Sequence, residues 1–255
     1  MFKTIVYFED KDLSTFPGIS VYNHNFLDLP NRELGISKLA RADKSVLTSA
    51  EYSSKKVTIK LMICGSDKED TEDKYIALIG HLQNTNGTLR LREGSSDINY
   101  TASTLQSIGQ EYFGHTLKVT LEFVCTDPFG IDNLPTTLVS TTNTLPVITY
   151  ALTVLGSYRV EPVIRITLTS ITDGTGKVLK IKNENTQKGV EITRDWVSGD
   201  VLVIDSLEKI VTVNNSMVDF VGTFPDFLPG LKTLGYVDSF TARSVNILAI
   251  YNKRV

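Results

Sequence analysis

The sequence predicts a mainly β protein of two domains, in which a sheet with one packed helix is followed by a β-sandwich. Apolar and polar residues alternate in most ordered segments, as they do in half-buried strands. Only residues 66–87 carry apolar side chains at helical spacing. A stretch rich in Thr, Ser, Asn and Pro, residues 126–146, separates two sets of predicted strands. We therefore expect a first domain over residues 1–134, a linker over 135–146 and a second domain over 147–255.

The first domain opens with two predicted strands and an irregular arm. Residues 2–8 and 19–26 are rich in β-branched and aromatic side chains, and Pro-Gly at 17 and 18 predicts a turn that joins them as a hairpin. Residues 27–45 lose this periodicity and mix proline, glycine and charges of both signs. A connection of that length in a compact domain is usually functional, so we expect an arm that reaches a neighbouring molecule.

The rest of the first domain combines strands with the single helix. Alternation over residues 57–63 predicts a half-buried strand, and we expect the adjacent Lys55 and Lys56 to be solvated. In residues 66–87, acidic side chains gather at the amino end, where they favour the helix dipole. The expected apolar face of this helix consists of Tyr75, Leu78, Ile79 and Leu82. Three further strands are predicted at 88–93, 99–105 and 116–125.

The second domain contains seven short predicted strands at intervals of roughly 8 to 12 residues, the rhythm of a sandwich or barrel. Turns such as TDGTG and NNS separate them. The strands are YALTVL, EPVIRITLTS, KVLKIKN, GVEITR, VLVID, KIVTVN and VNILAIYN.

Composition excludes several classes of function. The formal net charge of -3 differs from the basic surface that tight binding of duplex nucleic acid requires. No apolar run approaches the roughly 20 residues of a membrane helix, and the start of the chain lacks the core of a signal peptide. We expect no membrane insertion and synthesis in the cytoplasm.

The cysteines and histidines predict no metal or cofactor. Cys64 and Cys125 lie in apolar, alternating stretches, which are typical of buried free thiols, although a disulfide between them stays open. The histidines are scattered, with no cysteine or carboxylate at metal-ligand spacing. They are His24, His81 and His115.

Three aspartates, Asp195, Asp200 and Asp205, surround the single tryptophan, Trp196. Two carboxyl groups across a cleft could hydrolyse a glycosidic bond. Positions five apart lie on opposite faces of a continuous strand, however, and Ser-Gly-Asp at 198–200 predicts a turn. We favour Asp200 at a hairpin tip and Asp205 at a strand end, both solvated, and we expect no catalytic residues.

Two features are candidates for a partner surface. Trp196 could stack on a sugar, although we favour a ring that covers one end of the sandwich core. Residues 218–236 hold three phenylalanines and two prolines, and prolines disfavour an ordinary strand because they lack a backbone donor. We favour a loop folded over the core, with an exposed docking surface as the alternative. That surface would comprise Trp196, Phe224, Pro225, Phe227 and Pro229.

The order of these features points to a family. In the first domain the arm is followed by the helix TEDKYIALIGHLQ, by an L-x-L-R-E strand and by a strand that ends in FVCTDPFG. The second domain contains a proline-bearing strand, a W-x-x-G-D turn and a proline-and-glycine loop, in the segments GSYRVEPVIRITLTS, ITRDWVSGDVLVIDS and NNSMVDFVGTFPDFLPGLKTLGY. Over nearly its whole length the chain resembles the distal tail proteins of siphophages. It departs from them at Asn215-Ser216, where relatives tend to carry Asn-Gly.

The resemblance implies a structural role in the virion, at the tail tip. The first domain, similar to a β-sandwich or split barrel with one helix, would form a homohexameric ring. The second, a galectin-like β-sandwich, would lie outside the ring. The ring would join the tail tube protein to tail-tip, hub or fibre proteins and leave a channel through which DNA passes without specific binding. The junction between the domains would comprise Phe123, Cys125, Asp127, Pro128 and Phe129.

Charge is consistent with such a channel. Residues 1–134 hold 14 Lys and Arg against 18 Asp and Glu, a net charge of -4, and a lining of like charge would let DNA slide. We expect ring contacts at the edge strands of the first domain and at the arm, by strand addition.

One alternative is a carbohydrate-binding module with Trp196 and the 224–230 loop as its platform. Lectin activity does not follow from the resemblance, because Val-Ser-Gly follows Trp196 where galectins have Gly-x-Glu. An enzyme that uses Asp200 is the less favoured alternative.

Overall fold

The computed structural model describes residues 4–38, 45–83 and 87–255. The chain forms two compact units. Unit 1 comprises Met1–Asn133 together with Val255, and unit 2 comprises Leu134–Arg254.

Unit 1 is built on one run of antiparallel strands. The strands are β1 (Ile5–Phe8), β2 (Lys11–Asp12), β3 (Ile19–His24), β4 (Arg32–Lys38), β5 (Ser45–Tyr52), β6 (Lys55–Cys64), β7 (Gly87–Glu93), β8 (Ser96–Phe113), β9 (Thr116–Cys125) and the first residues of β10 (Ile131–Asn143). Hydrogen bonds join them in the order β2-β1-β7-β8-β9-β6-β3, whereas β4 and β5 form a separate two-stranded sheet. A short 3-10 turn, Leu13–Thr15, follows β2.

The core of unit 1 follows the alternation in the sequence. Every second residue of β6 and β9 is buried, and helix α1 (Lys68–Leu82) packs Leu78 and Leu82 into the same core. Asp67 caps the helix, since its Oδ1 accepts a hydrogen bond of 2.8 Å from the backbone nitrogen of Asp70. The single predicted helix is therefore confirmed.

The prediction that the first two strands form a hairpin is wrong. β1 pairs with β2 and β7, and β3 pairs with β6, so the two predicted strands lie on different parts of the sheet. The Pro-Gly turn exists, and Gly18 has a φ of 75 that favours glycine. The short connection between the two predicted strands favours a hairpin. The observed topology is instead decided by pairing with strands that are distant in the sequence, β7 and β6.

Unit 2 consists of two facing antiparallel sheets. Its strands are the rest of β10, then β11 (Val147–Val154), β12 (Val163–Thr172), β13 (Lys177–Asn183), β14 (Gly189–Arg194), β15 (Val201–Asp205), β16 (Ile210–Val213), β17 (Ser216–Met217), β18 (Val221–Gly222), β19 (Gly230–Asp238) and β20 (Ala242–Arg254). One sheet has the order β17-β16-β15-β12-β20-β10, and the other has the order β11-β19-β13-β14-β18. Their inward side chains form a single apolar core. The predicted mainly β fold with one helix and a β-sandwich is confirmed.

Strand β10 was not predicted. Residues 135–143 of the expected linker lie within it, and Val139 is buried against the core of unit 2. Pro135 is exposed in this strand and lies beyond Asp132, where the pairing of β10 with β8 ends, so its missing donor breaks no hydrogen bond to β8. In the described part of the chain, no helix is long and apolar enough to cross a bilayer.

Candidate interaction surfaces

The arm forms a hairpin whose two strands, among the described residues, pair with no other strand, although the Tyr52 ring packs edge-on against Phe129 with ring centroids 4.9 Å apart. β4 and β5 pair antiparallel from Arg32 opposite Tyr52 to Lys38 opposite Ser45. Residues 39–44, which belong to the predicted arm, lie outside the described residues. Leu27, Leu29 and Leu34 are exposed on or beside the hairpin, and Leu29 is 71% exposed. An isolated two-stranded sheet is marginally stable in water, so this hairpin is suited to packing against another surface.

The root of the arm is fixed by backbone hydrogen bonds. The Ser53 nitrogen donates to the Asn31 carbonyl at 3.1 Å, which brings the two ends of the hairpin together. Asn25 accepts from the Thr58 nitrogen at 2.6 Å and donates to the Lys56 carbonyl at 3.2 Å. These contacts join the residues that flank the hairpin to each other and to β6.

A buried lysine anchors the same root. The Nζ of Lys55 donates to the Phe26 carbonyl and, at 2.7 Å, to the Tyr100 hydroxyl, which itself donates to Phe26 at 2.7 Å. Burial lowers the pKa of Lys55 to about 8, and the charge of Asp28 opposes this shift. The expectation that Lys55 is solvated is wrong. The sequence contains a signal for this burial, because Lys55 lies two residues before Val57 and shares its inward face.

The two cysteines differ. Cys125 is buried, its Sγ lies 3.2 Å from the Ser103 hydroxyl, and burial raises the pKa of its thiol. Cys64 is exposed, because it is the last residue of β6 and lies on the face opposite Ile63. Both thiols are free, so the expected burial is wrong for Cys64 and the open question of a disulfide is resolved.

The predicted junction residues belong to unit 1. Phe123, Cys125 and Phe129 are buried, whereas Asp127 and Pro128 are half-buried. Asp127 Oδ1 accepts a hydrogen bond of 3.0 Å from the Phe129 nitrogen and so shapes the bend after β9.

The three aspartates near Trp196 hold turns. Asp195 accepts from the Gly176 nitrogen at 2.7 Å, and Asp205 accepts from the nitrogens of residues 207 and 208 at 3.0 Å. Asp200 accepts from the Val197 nitrogen at 3.0 Å and from the Asn214 side chain at 2.8 Å. Each carboxylate therefore satisfies local donors, as the turn interpretation predicts.

The position of Asp200 corrects that interpretation in two respects. Asp200 is buried, so the expectation of a solvated side chain is wrong. It also does not lie at a hairpin tip, because β14 and β15 belong to different sheets. The turn at 198–200 instead carries the chain from one sheet of the sandwich to the other.

Removing the Asp200 carboxylate should destabilise the fold. We expect Asp200→Ala to lower the free energy of unfolding by about 2–3 kcal/mol, because two donors lose their acceptor in a buried setting. Urea denaturation of the full chain measures this. Asp219→Ala is the matched control, because Asp219 is exposed and its loss should change stability by less than about 0.5 kcal/mol. Equal stability of the two variants would contradict the structural role.

Trp196 belongs to the core. The side chain is 3% exposed, its Nε1 donates to the Lys177 carbonyl at 2.9 Å, and its ring packs edge-on to Phe240. A sugar needs an open ring face for stacking, so the platform alternative for Trp196 does not fit this geometry. The favoured core position is the one observed.

The predicted loop over residues 218–236 is wrong for its second half, because residues 230–236 belong to strand β19, which pairs with β11 and β13. The part before β19 is anchored by Phe227. Phe227 is fully buried, and its backbone exchanges two hydrogen bonds of 2.9 Å with Val160. Next to it the Asp226 carboxylate pairs with Lys188 at 2.7 Å and with Arg159 at 3.3 Å. Residue 225 is also buried, so these residues of the predicted docking surface face inward.

Other residues of this region remain accessible. Phe224 and Pro229 are half-buried. The Phe224 ring packs edge-on against the Phe220 ring, with ring centroids 5.1 Å apart. Exposed apolar residues missed by the sequence interpretation lie nearby in the chain; they are Met217, Val221, Leu228 and Leu231. An open groove of about 480 Å³ lies between strand β14 and residues 217–219. It is shallow, and within the described residues no cluster of possible metal ligands accompanies it.

Fold and surfaces together define a two-unit β protein in which the aspartates near Trp196 hold turns and exposed apolar residues include leucines of the arm. Residues 155–254 match the family model described as siphovirus-type tail component, C-terminal domain. A search among curated proteins finds no match. The sequence-based resemblance to siphophage distal tail proteins is confirmed.

One solved structure has a similar fold over nearly the whole chain. The crystal structure of the SPP1 Dit (gp 19.1) protein, described as a paradigm of hub adsorption apparatus in phages that infect Gram-positive bacteria, matches with a TM-score of 0.67 and 14% identity. The match covers 99% of both chains. Two baseplate structures of phage p2, in its activated conformation with calcium and with strontium, match at 8% identity with TM-scores of 0.42 and 0.41. They cover 93% and 98% of this chain and 98% of theirs.

Proposed function

We propose that this chain is a structural hub of a siphophage tail, without enzymatic activity. Six copies would form a ring through unit 1, join the tail tube protein to tail-tip or fibre proteins, and leave a channel for DNA. The segment from Phe123 to Phe129 would form the junction between the ring domain and the outer domain. The protein would be made in the host cytoplasm and act in the virion.

The arm hairpin is the observation that supports ring formation most directly. Its two strands pair only with each other within the described residues, and leucines are exposed at its base and on β4. The root is held by the hydrogen bond between Ser53 and Asn31, and the hairpin would offer strand edges and apolar side chains to a neighbouring copy. The fold similarity to SPP1 Dit over 99% of the chain gives the hub role its context.

Removal of the arm tests the ring. Residues 32–52 can be replaced by a short Gly-Ser linker, because the flanking residues 31 and 53 are already joined by a backbone hydrogen bond. No described core residue lies in the removed segment, so unit 1 should still fold. We expect hexamers of the full chain to dissociate to single chains, measured by multi-angle light scattering.

Point variants of the arm provide a finer comparison. Leu27→Ser combined with Leu29→Ser and Leu34→Ser should weaken the hexamer, whereas Leu207→Ser, which alters an exposed leucine of unit 2, should not. Thermal unfolding verifies that all chains are folded. Hexamers that persist with the arm replaced would contradict the proposed contact.

A further inference from the structure

Strand β11 leaves one long sheet edge without a partner. Among the described residues β11 pairs only with β19, over eight consecutive residue pairs and without a bulge. The Asp238 nitrogen donates to the Pro146 carbonyl at 2.8 Å, so Pro146 faces β19. Because backbone groups alternate in direction along a strand, those of residues 148, 150, 152 and 154 also point to β19. The backbone N–H and C=O groups of the intervening residues therefore point to the free edge. These residues are Val147, Thr149, Ala151 and Thr153.

This edge lacks the features that normally prevent strand pairing. Residues 133–158 contain no Asp, Glu, Lys, Arg or His, and β11 contains no proline. By contrast, the last strand on the other side of the same sheet, β18, has only two residues, and β17 in the facing sheet is equally short. Native proteins protect long edges with charge, proline, bulges or short strands. The free edge of β11 is therefore suited to accept another strand.

The distribution of apolar residues along this edge is self-complementary. Leu145 and Leu155 are both exposed, and each lies five residues from Tyr150. In an antiparallel pair of two β11 strands with Tyr150 opposite Tyr150, each Leu145 faces a Leu155 of the second copy. The same register sets Val147 opposite Thr153 and brings edge-facing backbone groups opposite one another.

Tyr150 suits the centre of such a pair. Its side chain is half-buried, but its hydroxyl is buried without a hydrogen-bond partner in the described structure, so the accessible part is the ring. Directly opposed aromatic residues in neighbouring antiparallel strands stabilise a sheet. The two rings would also cover each other from water.

We propose that the C-terminal units of two copies associate through antiparallel pairing of β11 about a two-fold axis at Tyr150. The pairing joins two five-stranded sheets into one and needs no contact from the arm. It is thus independent of the ring and would link two chains, or two rings, face to face.

Ala151→Pro tests the pairing, because it removes an N–H that points to the free edge and leaves the hydrogen bonds to β19 in place. Ala151→Thr, which keeps that N–H, is the matched control. Sedimentation of the full chain over a range of concentrations should show a two-fold increase in mass for the wild-type protein and Ala151→Thr, but not for Ala151→Pro. An increase that is unchanged by Ala151→Pro would overturn the proposal.

Charge exchange tests the register without relying on proline. Leu145→Glu combined with Leu155→Glu should weaken the association by about tenfold or more, because like charges then face each other. Leu145→Lys combined with Leu155→Glu should restore it. If the variant with Leu145→Lys and Leu155→Glu does not associate more tightly than the variant with glutamate at both positions, this register is excluded.

Hydrogen exchange of the wild-type chain tests the pairing of β11 without any substitution, so it applies even if a variant does not fold. The amides of Thr149, Ala151 and Thr153 should exchange rapidly in dilute protein and slowly in concentrated protein, whereas those of Tyr150 and Leu152 stay protected. Rates for the first three that do not change with concentration would overturn the pairing. A full chain that forms no hexamers, or hexamers that persist with the arm replaced, would contradict only the proposed ring.

Discussion

Replacing Phe227 by alanine should lower the free energy of unfolding by about 3–5 kcal/mol, the usual cost of removing a buried aromatic ring. Phe227 is fully buried and carries the bridge to Val160 that ties the loop to the sandwich. Leu228→Ala is the matched control, because the adjacent leucine is 57% exposed and its loss should cost less than about 0.5 kcal/mol. Chemical denaturation of the full chain measures both.

The comparison decides between the two interpretations of the loop. If residues 224–229 mainly served as a docking surface, Phe227→Ala would leave stability unchanged and impair only assembly. A free energy of unfolding for Phe227→Ala equal to that of Leu228→Ala would contradict the core position.

Lys55→Met should stabilise the protein at pH 7 by about 1–3 kcal/mol, because a buried ammonium group loses more hydration than its hydrogen bonds return. The Phe26 carbonyl keeps a donor in this variant, the Tyr100 hydroxyl at 2.7 Å. Lys56→Met, which alters the exposed neighbouring lysine, should have little effect. Urea denaturation at several pH values compares the three chains.

The sign of the pH dependence follows from the lowered pKa of Lys55. Below about pH 8, folded and unfolded chains both carry the proton, and the folded chain bears the cost of burial. As the pH rises from about 8 to 10.5, the folded chain releases the proton while the unfolded chain keeps it, so the stability of the wild-type protein increases by up to about 3 kcal/mol. The advantage of Lys55→Met should shrink over this window. An advantage that does not change between pH 7 and pH 9.5 would contradict a buried ammonium group at pH 7.

Local patterns in the sequence predict much of this fold. The acidic start and apolar spacing of residues 66–87 identify helix α1, and alternation identifies most strands of unit 2, because each pattern reflects burial of one face. Pairing between distant strands leaves no such local mark. The opening hairpin was therefore wrong. Strand β10, with its proline and many threonines, was missed, and so was β19, whose residues 230–236 were assigned to a loop because of the nearby prolines.

The candidate surfaces were predictable to a smaller extent. Composition marked residues 218–236 as unusual, but it could not show that Phe227 faces inward while Leu228 faces outward. The free edge of β11 depends on which strand occupies the end of a sheet, a property of topology and not of the segment itself. The absence of charge over residues 133–158 is the one signal in the sequence that could have indicated it.

Mass in solution tests the central claim most directly. Sedimentation of the full chain at increasing concentration should reveal an assembly of six copies of the 28.3 kDa chain, or of twelve where β11 strands also pair. Replacement of residues 32–52 should remove the six-fold step alone. A chain that stays single at every concentration, or that assembles in numbers unrelated to six, would contradict the proposal of a ring-forming hub.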